Sequence, residues 1–446
     1  MRSRGEFPRR RSSLLAIALF AALTVFFAIS QITSAQTTSR THVRVPDDTP
    51  DPSLVAARAA MDHSNFTEAV KSYKEYLAKK PNDSDAHFDL GNAYASLKQS
   101  ADAQAEYEKA ISLDPKLDAA YVNLGITQMD SDLNAAIAAF QKAVELVPDR
   151  SRPRFLLGWA YERSGKLPLA IDSYRAAVKL DDKDSDAHFA LGRALLTTDQ
   201  PADAEIEFRA AVVANASNDQ AYLGLSQSLM AQKKYDSAAA VLTKYLEQQP
   251  ADSQSRIALA LALTKMDKND EAIAELDRAA AAGPETLSSL KLRSQILFQM
   301  KRYDDAIPVL QKAAALAPQD PDAPARLGHL YLEKHAYPEA ARALLIAFKM
   351  NPNSNDVLGE LVEAEYLGKN YEAALKALDL LSQRRELPAG TVFIRATCYD
   401  RLGQAQAALD AYQKFLRLNK DENNDMYFSA TARVRFLIRE IKEKKK

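Results

Sequence analysis

From residue 50 to residue 422 the apolar positions recur three or four residues apart, the spacing of one face of an α-helix. They come in paired runs of roughly a dozen residues, and the pair repeats. Ala69, Ala103, Ala136, Ala170, Ala204, Ala238, Ala272, Ala306, Ala340, Ala374 and Ala408 stand 34 residues apart in nine intervals and 33 in one. Four residues after each comes a large apolar residue: Tyr73, Tyr107, Phe140, Tyr174, Phe208, Leu242, Leu276, Leu310, Leu344, Leu378 and Tyr412. Residues four apart share a helix face, so this Ala and its large partner point the same way. Ahead of them runs a leucine column, Leu90, Leu124, Leu157, Leu191, Leu225, Leu259, Leu327 and Leu361. A small residue usually follows that leucine: Gly91, Gly125, Gly158, Gly192, Ser226, Ala260, Ser294 and Gly328. Pro81, Pro115, Pro148, Pro250, Pro284, Pro318 and Pro352 close units, because proline cannot donate the next helical hydrogen bond. The pattern predicts helical hairpins, with the small residue letting the second helix of each approach the first. A lone hairpin cannot bury its apolar faces, so the units must stack.

The stretch HFDLGNAYASLKQSADAQAEYEKAISLDP (87–115) resembles a complete tetratricopeptide repeat. Leu90-Gly91, Tyr94, Ala103, Tyr107, Ala110 and Pro115 fall on the pattern of that family, whose period is also 34. The resemblance covers residues 50–422. It implies an all-α, right-handed superhelical solenoid of about eleven hairpins, concave on the side of the first helices. It also implies a scaffold for protein–protein interaction. Several units depart from the pattern. The third loses a residue in its turn, Asp130-Ser131-Asp132; the unit around 185–217 lacks the closing proline; Arg293 and Arg395 replace the leucine, and Glu365 a tyrosine. The first unit has Ala56-Ala57 in place of Leu-Gly. Residues 423–446 predict one more helix that caps the last hairpin, apolar at Phe428, Val434, Leu437, Ile438 and Ile441 and ending in a basic tail.

The first 35 residues are different in kind. Arg2, Arg4, Arg9, Arg10 and Arg11 precede an apolar run from Leu14 to Ile29, then a small-residue exit ending at Ala35. This is the layout of an export signal. Two readings stay open: cleavage after Ala35, or an anchor retained through residues 14–32. In both, the arginines stay on the cytoplasmic side and the remaining chain crosses the membrane. Residues 36–49 are polar and aperiodic, a spacer. The expected location is therefore periplasmic or extracytoplasmic, with the inner membrane as a partner if residues 14–32 are uncleaved.

Charge and chemistry narrow the function. The chain has 58 basic and 59 acidic residues, and without the first 35 it has 53 and 58. A mildly acidic body argues against nucleic acid as the partner. The single cysteine, Cys398, falls among apolar neighbours and reads as a small core residue. No phosphate loop, nucleophile elbow, zinc-protease or dinucleotide motif is present, and the repeats leave no room for a catalytic domain. His87 and His188 hold equivalent repeat positions, and the acidic turn at Asp181–Asp186 lacks the glycine and closing glutamate of a calcium loop. The reading is a non-enzyme without cofactor or metal whose partner is a protein or peptide segment. The alternative is an accessory subunit of an envelope enzyme or of a secretion or assembly machine.

The resemblance places certain first-helix columns in the groove. One reads Phe88, Val122, Phe155, Phe189, Leu223 and Ile257, then Lys291, Ala325, Gly359 and Phe393, with Trp159 one turn after Phe155. Its apolar stretch can serve packing between repeats or form a strip for a partner segment. Some family members clamp a partner's terminal carboxylate with Lys, Asn and Arg side chains. Asn92, Asn123 and Arg152 match three of those positions, while Phe88 and Leu156 replace a Lys and an Arg, which removes most of the charge.

Overall fold

The computed structural model describes residues 51–419, 421 and 425–443. The signal or anchor segment, the spacer and Lys444–Lys446 lie outside the described residues. Those described form 23 α-helices and no strand. They fall into two compact units, one ending at Pro81 and the other beginning at Asn82.

The first unit holds one hairpin, α1 (Pro52–Asp62) and α2 (Phe66–Lys79). Asp51 caps α1 by accepting from the Ser53 amide at 2.9 Å, with Pro52 at the first helical position, where its missing N–H costs nothing. Ala57, Tyr73 and Ala69 are its buried residues of the repeat columns.

The second unit contains ten hairpins and a last single helix. The hairpins are α3 (Ser84–Ser96) with α4 (Ser100–Leu113), α5 (Asp118–Gln128) with α6 (Leu133–Leu146), α7 (Ser151–Arg163) with α8 (Leu167–Leu180), and α9 (Ser185–Thr197) with α10 (Pro201–Ala214). They continue as α11 (Asp219–Ala231) with α12 (Tyr235–Gln248), α13 (Ser253–Lys265) with α14 (Asn269–Ala282), and α15 (Leu287–Gln299) with α16 (Tyr303–Leu316). The last are α17 (Asp322–Glu333) with α18 (Tyr337–Met350), α19 (Asn355–Leu367) with α20 (Tyr371–Arg384), and α21 (Ala389–Arg401) with α22 (Ala405–Leu418). The closing helix is α23 (Asp425–Glu443).

Local chemistry sets where helices start and stop. Asp83, Asp184 and Asn218 cap first helices by accepting from the amide three residues on at 3.0 Å. Thr286 and Ser289 form a reciprocal capping box at α15. Within ten of the eleven described hairpins the turn passes through one left-handed residue, which lets the chain reverse while its amides still bond the last carbonyls of the first helix. Those residues are Ser64, Lys98, Gly165, Asp199, Lys233, Asp267, Lys301, His335, Lys369 and Gly403. The third unit has none. The residue it lacks is this one, and its turn closes instead by Asp132 N–H to Gln128 O at 2.8 Å.

Between the two helices of a hairpin, the small column meets the large one. A Cβ at Gly125 would stand 2.6 Å from the Phe140 ring, and one at Gly158 2.7 Å from Tyr174. Both rings are fully buried. From Met129 to Ile296 these contacts join into one apolar core; a further core runs from Ala340 to Leu437 and takes in the buried Ala430 and Leu437 of α23. Ala430 lies 34 residues after the buried Ala396, so α23 occupies the place of a first helix without its partner. Cys398 is buried in that core.

A candidate partner-binding face on the first helices

In the unit from Asn82 onward, neighbouring first helices touch one another: α3 and α5, α7 and α9, α9 and α11, α11 and α13, α13 and α15, α17 and α19. Second helices make no comparable contact. The first helices therefore line the inner side of the stack.

The structure sorts the groove column. Phe155 and Leu223 are buried; Phe88, Val122, Phe189 and Ile257 are half-buried, as is Trp159. Each aromatic of the column leans on the large residue of its own second helix: Phe88 on Tyr107 at 5.9 Å, Phe155 on Tyr174 at 5.7 Å, Phe189 on Phe208 at 5.9 Å. One edge of these side chains thus completes the core, and the half-buried ones keep the other edge in solvent. Phe155 and Trp159 sit one turn apart on α7, flanked by arginines: Arg152 lies 5.3 Å over the Phe155 ring and Arg163 5.9 Å over Trp159. After Ile257 the column becomes Lys291, whose ammonium pairs with Asp320 at 2.7 Å and Asp322 at 3.2 Å.

Asn92 and Asn123 come together. The Asn92 side-chain oxygen accepts from the Tyr107 hydroxyl at 2.9 Å and from the Asn123 amide at 2.7 Å. Burial pushes the Tyr107 phenol up, so it stays a neutral donor. Arg152 does not join this network; it is exposed.

Other polar groups on this face were not singled out from the sequence. Glu162 of α7 accepts from the Tyr174 hydroxyl and from Arg193 of α9, both at 2.8 Å, tying adjacent first helices together. Asp400 repeats this in the last hairpin, accepting from Tyr412 at 3.3 Å and from Arg433 of α23 at 2.7 Å. Farther along, His329 of α17 pairs with Glu360 of α19 at 3.2 Å, and the ring's pKa is raised by that bond. Burial and the charge of Glu360 raise Glu363 beside it. The repeat offered a signal for these residues: His329 and Glu363 continue the column of Asn92, Trp159 and Arg193 at the same 34-residue step.

Among the described residues no group of three or more His, Cys, Asp or Glu is placed to hold a metal ion. Nor is any described helix long and apolar enough to cross a membrane.

Comparison with known proteins follows the same pattern. Among solved structures, a tetratricopeptide repeat protein from Parabacteroides merdae is 18% identical, over 55% of this chain and 94% of its own, with a TM-score of 0.41. MamA from Desulfovibrio magneticus RS-1 is 23% identical over 37% and 95%, with a TM-score of 0.36. YrrB, described as a TPR protein with an unusual peptide-binding site, is 19% identical over 50% and 98%, with a TM-score of 0.34. No curated protein matches the chain. Families of the description "Tetratricopeptide repeat" match residues 54–118, 130–187, 189–253, 257–321 and 326–389, as well as 297–346 and 392–421. The chain belongs to the tetratricopeptide repeat family, a family of scaffolds that bind proteins or peptides.

Proposed function

We propose that the chain is an exported scaffold that holds an extended or helical protein segment against its first helices, within a cell-envelope complex. The observation that carries the binding face is the set of half-buried apolar side chains Val122 on α5, Trp159 on α7, Phe189 on α9 and Ile257 on α13. Their hairpins are already sealed by Phe140, Tyr174, Phe208 and Leu276, all fully buried. A purely structural column would finish its burial; these residues keep an apolar edge toward water on the inner side of the stack. Trp159 is the only tryptophan, and aromatic anchors of this type commonly dominate an interface. Export rests on the basic, apolar and small-residue order of residues 1–35.

A photo-crosslinking residue at Trp159 or Val122, with a control at the exposed Ile206 of α10, tests the face in an envelope fraction. Capture of one protein at 159 and 122 and not at 206 is expected. Trp159→Ala should then weaken that protein's binding by about 2 kcal/mol while helix content stays intact. Crosslinks equal at all three sites would refute the face. For location, a reporter active only after export, fused behind Lys446, should be active; activity of a cytoplasm-only reporter in its place refutes export.

A further inference from the structure

The last helix presents a surface separate from that face. Ala430 and Leu437 seat α23 on the preceding hairpin, and Arg433 fixes it by donating to Asp400 at 2.7 Å. Its outward stripe is Phe428, Ala432, Arg435, Arg439 and Lys442, all exposed, at the i, i+4, i+7, i+11, i+14 spacing of one helix face. Phe436 stands beside that stripe. Phe428 is 61% exposed and Phe436 54%. Arg433, already held by Asp400, lies 4.7 Å over the Phe436 ring, which keeps that ring turned outward.

We propose that this face of α23 docks on an anionic lipid surface. Large exposed rings among basic side chains are the makeup of helices that lie in a membrane interface, with apolar groups entering the acyl boundary and cations meeting phosphates. Against the exposed bases Arg435, Arg439 and Lys442 the helix carries three acids, exposed Asp425 and Glu443 and half-buried Glu440, and the sequence adds Lys444, Lys445 and Lys446 directly after. The net sign is positive, so the complementary partner is negative. The two rings are eight residues apart, about 12 Å along the axis, on a convex helix surface. A bilayer deforms around such rings without needing a shaped counterpart. A second copy related by a twofold axis would set this basic stripe against its own copy, which repels.

The test is co-sedimentation of the full chain with vesicles of phosphatidylglycerol and phosphatidylcholine, compared with phosphatidylcholine alone. The apolar residues 14–32 and the five arginines ahead of them are in every sample, so the reading is the part of the anionic excess that rests on α23. F428S/F436S and R435E/R439E should each cut that part about tenfold or more, with unchanged circular dichroism. In F428W, the added fluorophore should shift to the blue with anionic vesicles only. Trp159→Ala, on the first-helix face, should leave the excess unchanged, which separates this surface from the protein-binding one. No anionic excess in the parent chain overturns the proposal, as does an excess that both double variants retain. Self-association without vesicles that F428S/F436S abolishes would overturn it in favour of a second copy.

Discussion

Hairpins α3–α4 to α9–α10 and hairpins α11–α12 to α15–α16 fill the same space in opposite ways. In the first set glycine lies under a ring: Gly91 under Tyr107, Gly125 under Phe140, Gly158 under Tyr174, Gly192 under Phe208. In the second set the same two columns read Ser226 and Leu242, Ala260 and Leu276, Ser294 and Leu310, all buried. Volume has moved across the helix–helix contact while its sum stays roughly constant, as close packing demands. The junctions between hairpins differ as well. Leu90, Leu124, Leu157 and Leu191 are buried along the first set, but at α14–α15 and again at α20–α21 the leucine is arginine. Arg293 pairs with Asp277, and Arg395 reaches Asp379 at 3.1 Å; in both cases the acid sits on the preceding second helix. These two junctions are also the ones whose loops, 283–286 and 385–388, depart from the usual turn. At these two junctions a half-exposed ion pair thus stands where the repeat column otherwise places a leucine.

The largest expected effect lies where the ring is most enclosed. Phe208 meets two glycines: a Cβ at Gly192 would stand 3.0 Å from it, and one at Gly224, in the next hairpin, 2.3 Å. Phe208→Ala should cost about 3–5 kcal/mol, because glycine backbone cannot move in to fill the space. Leu276→Ala in the second set should cost less, nearer 2–3 kcal/mol. Chemical unfolding of both variants checks the order, and an equal or reversed order breaks the comparison.

How much of this was legible follows from which residues carry it. The period and the hairpins were readable because they rest on columns that recur up to eleven times, and the closing helix because its apolar residues keep a helical spacing. Arg293 and Arg395 were visible as departures; their acids were not, because Asp277 and Asp379 lie in a column with no periodic constraint. The division of the groove column was also hidden. Phe155 and Phe189 are the same residue type one unit apart, yet one is buried and the other half-buried. That depends on how closely adjacent hairpins approach, which sequence spacing does not encode. The Asn92–Asn123–Tyr107 network was half readable, as positions without their bonds.

The ion-paired junctions give the second prediction. A half-exposed ion pair contributes about 0–1 kcal/mol, whereas burying a leucine contributes about 1.5–3 kcal/mol. Arg293→Leu should therefore stabilise the α14–α15 junction by about 1 kcal/mol, slow proteolysis at 283–286 and reduce the salt dependence of unfolding. The same change at Arg193, which ties α7 to α9 through Glu162, should not stabilise, since it strips a partner from a partly buried carboxylate. Stabilisation at both sites, or at neither, would show that the junctions do not differ.

A smaller contrast concerns pH. His188 of α9 and Arg256 of α13 hold one repeat column, each bonded at 2.7 Å to a glutamate of its second helix, Glu207 and Glu275. The bond from Glu207 raises the His188 pKa above 6.5, helped by the Asp182 carbonyl and the charge of Asp184, against desolvation. A raised folded pKa means the stabilisation is complete below 6.5 and lost as pH rises through the folded value. A guanidinium keeps its charge throughout that range. Amide exchange should show α9 and α10 losing protection from pH 6.5 upward, once corrected for intrinsic exchange, while α13 and α14 do not. His188→Arg should flatten the profile, and an already flat profile in the parent chain would contradict the pairing.

The smallest effect lies in the hairpin turns. The first set has a glycine at one left-handed position, Gly165, and the second set has none, using Lys233, Asp267 and Lys301. A side chain in that region costs about 1–2 kcal/mol through its Cβ, and glycine returns part of the gain because its unfolded chain is freer, by about 0.5–1 kcal/mol. Lys301→Gly should therefore stabilise by at most about 1 kcal/mol, and Gly165→Ala should destabilise by a similar amount. Lys301 is exposed and its turn bonds are backbone ones, Lys301 N–H to Phe298 O at 3.0 Å and Arg302 N–H to Leu297 O at 2.8 Å, so the substitution removes none of them. The third unit provides the control. It reverses without a left-handed residue, so Ser131→Gly there should destabilise slightly, since the turn has no use for the added freedom. Unfolding midpoints of the three variants, read with helix-specific exchange, separate the cases. Stabilisation by Ser131→Gly as large as by Lys301→Gly would mean that loop flexibility, and not the left-handed geometry, sets the cost of these turns.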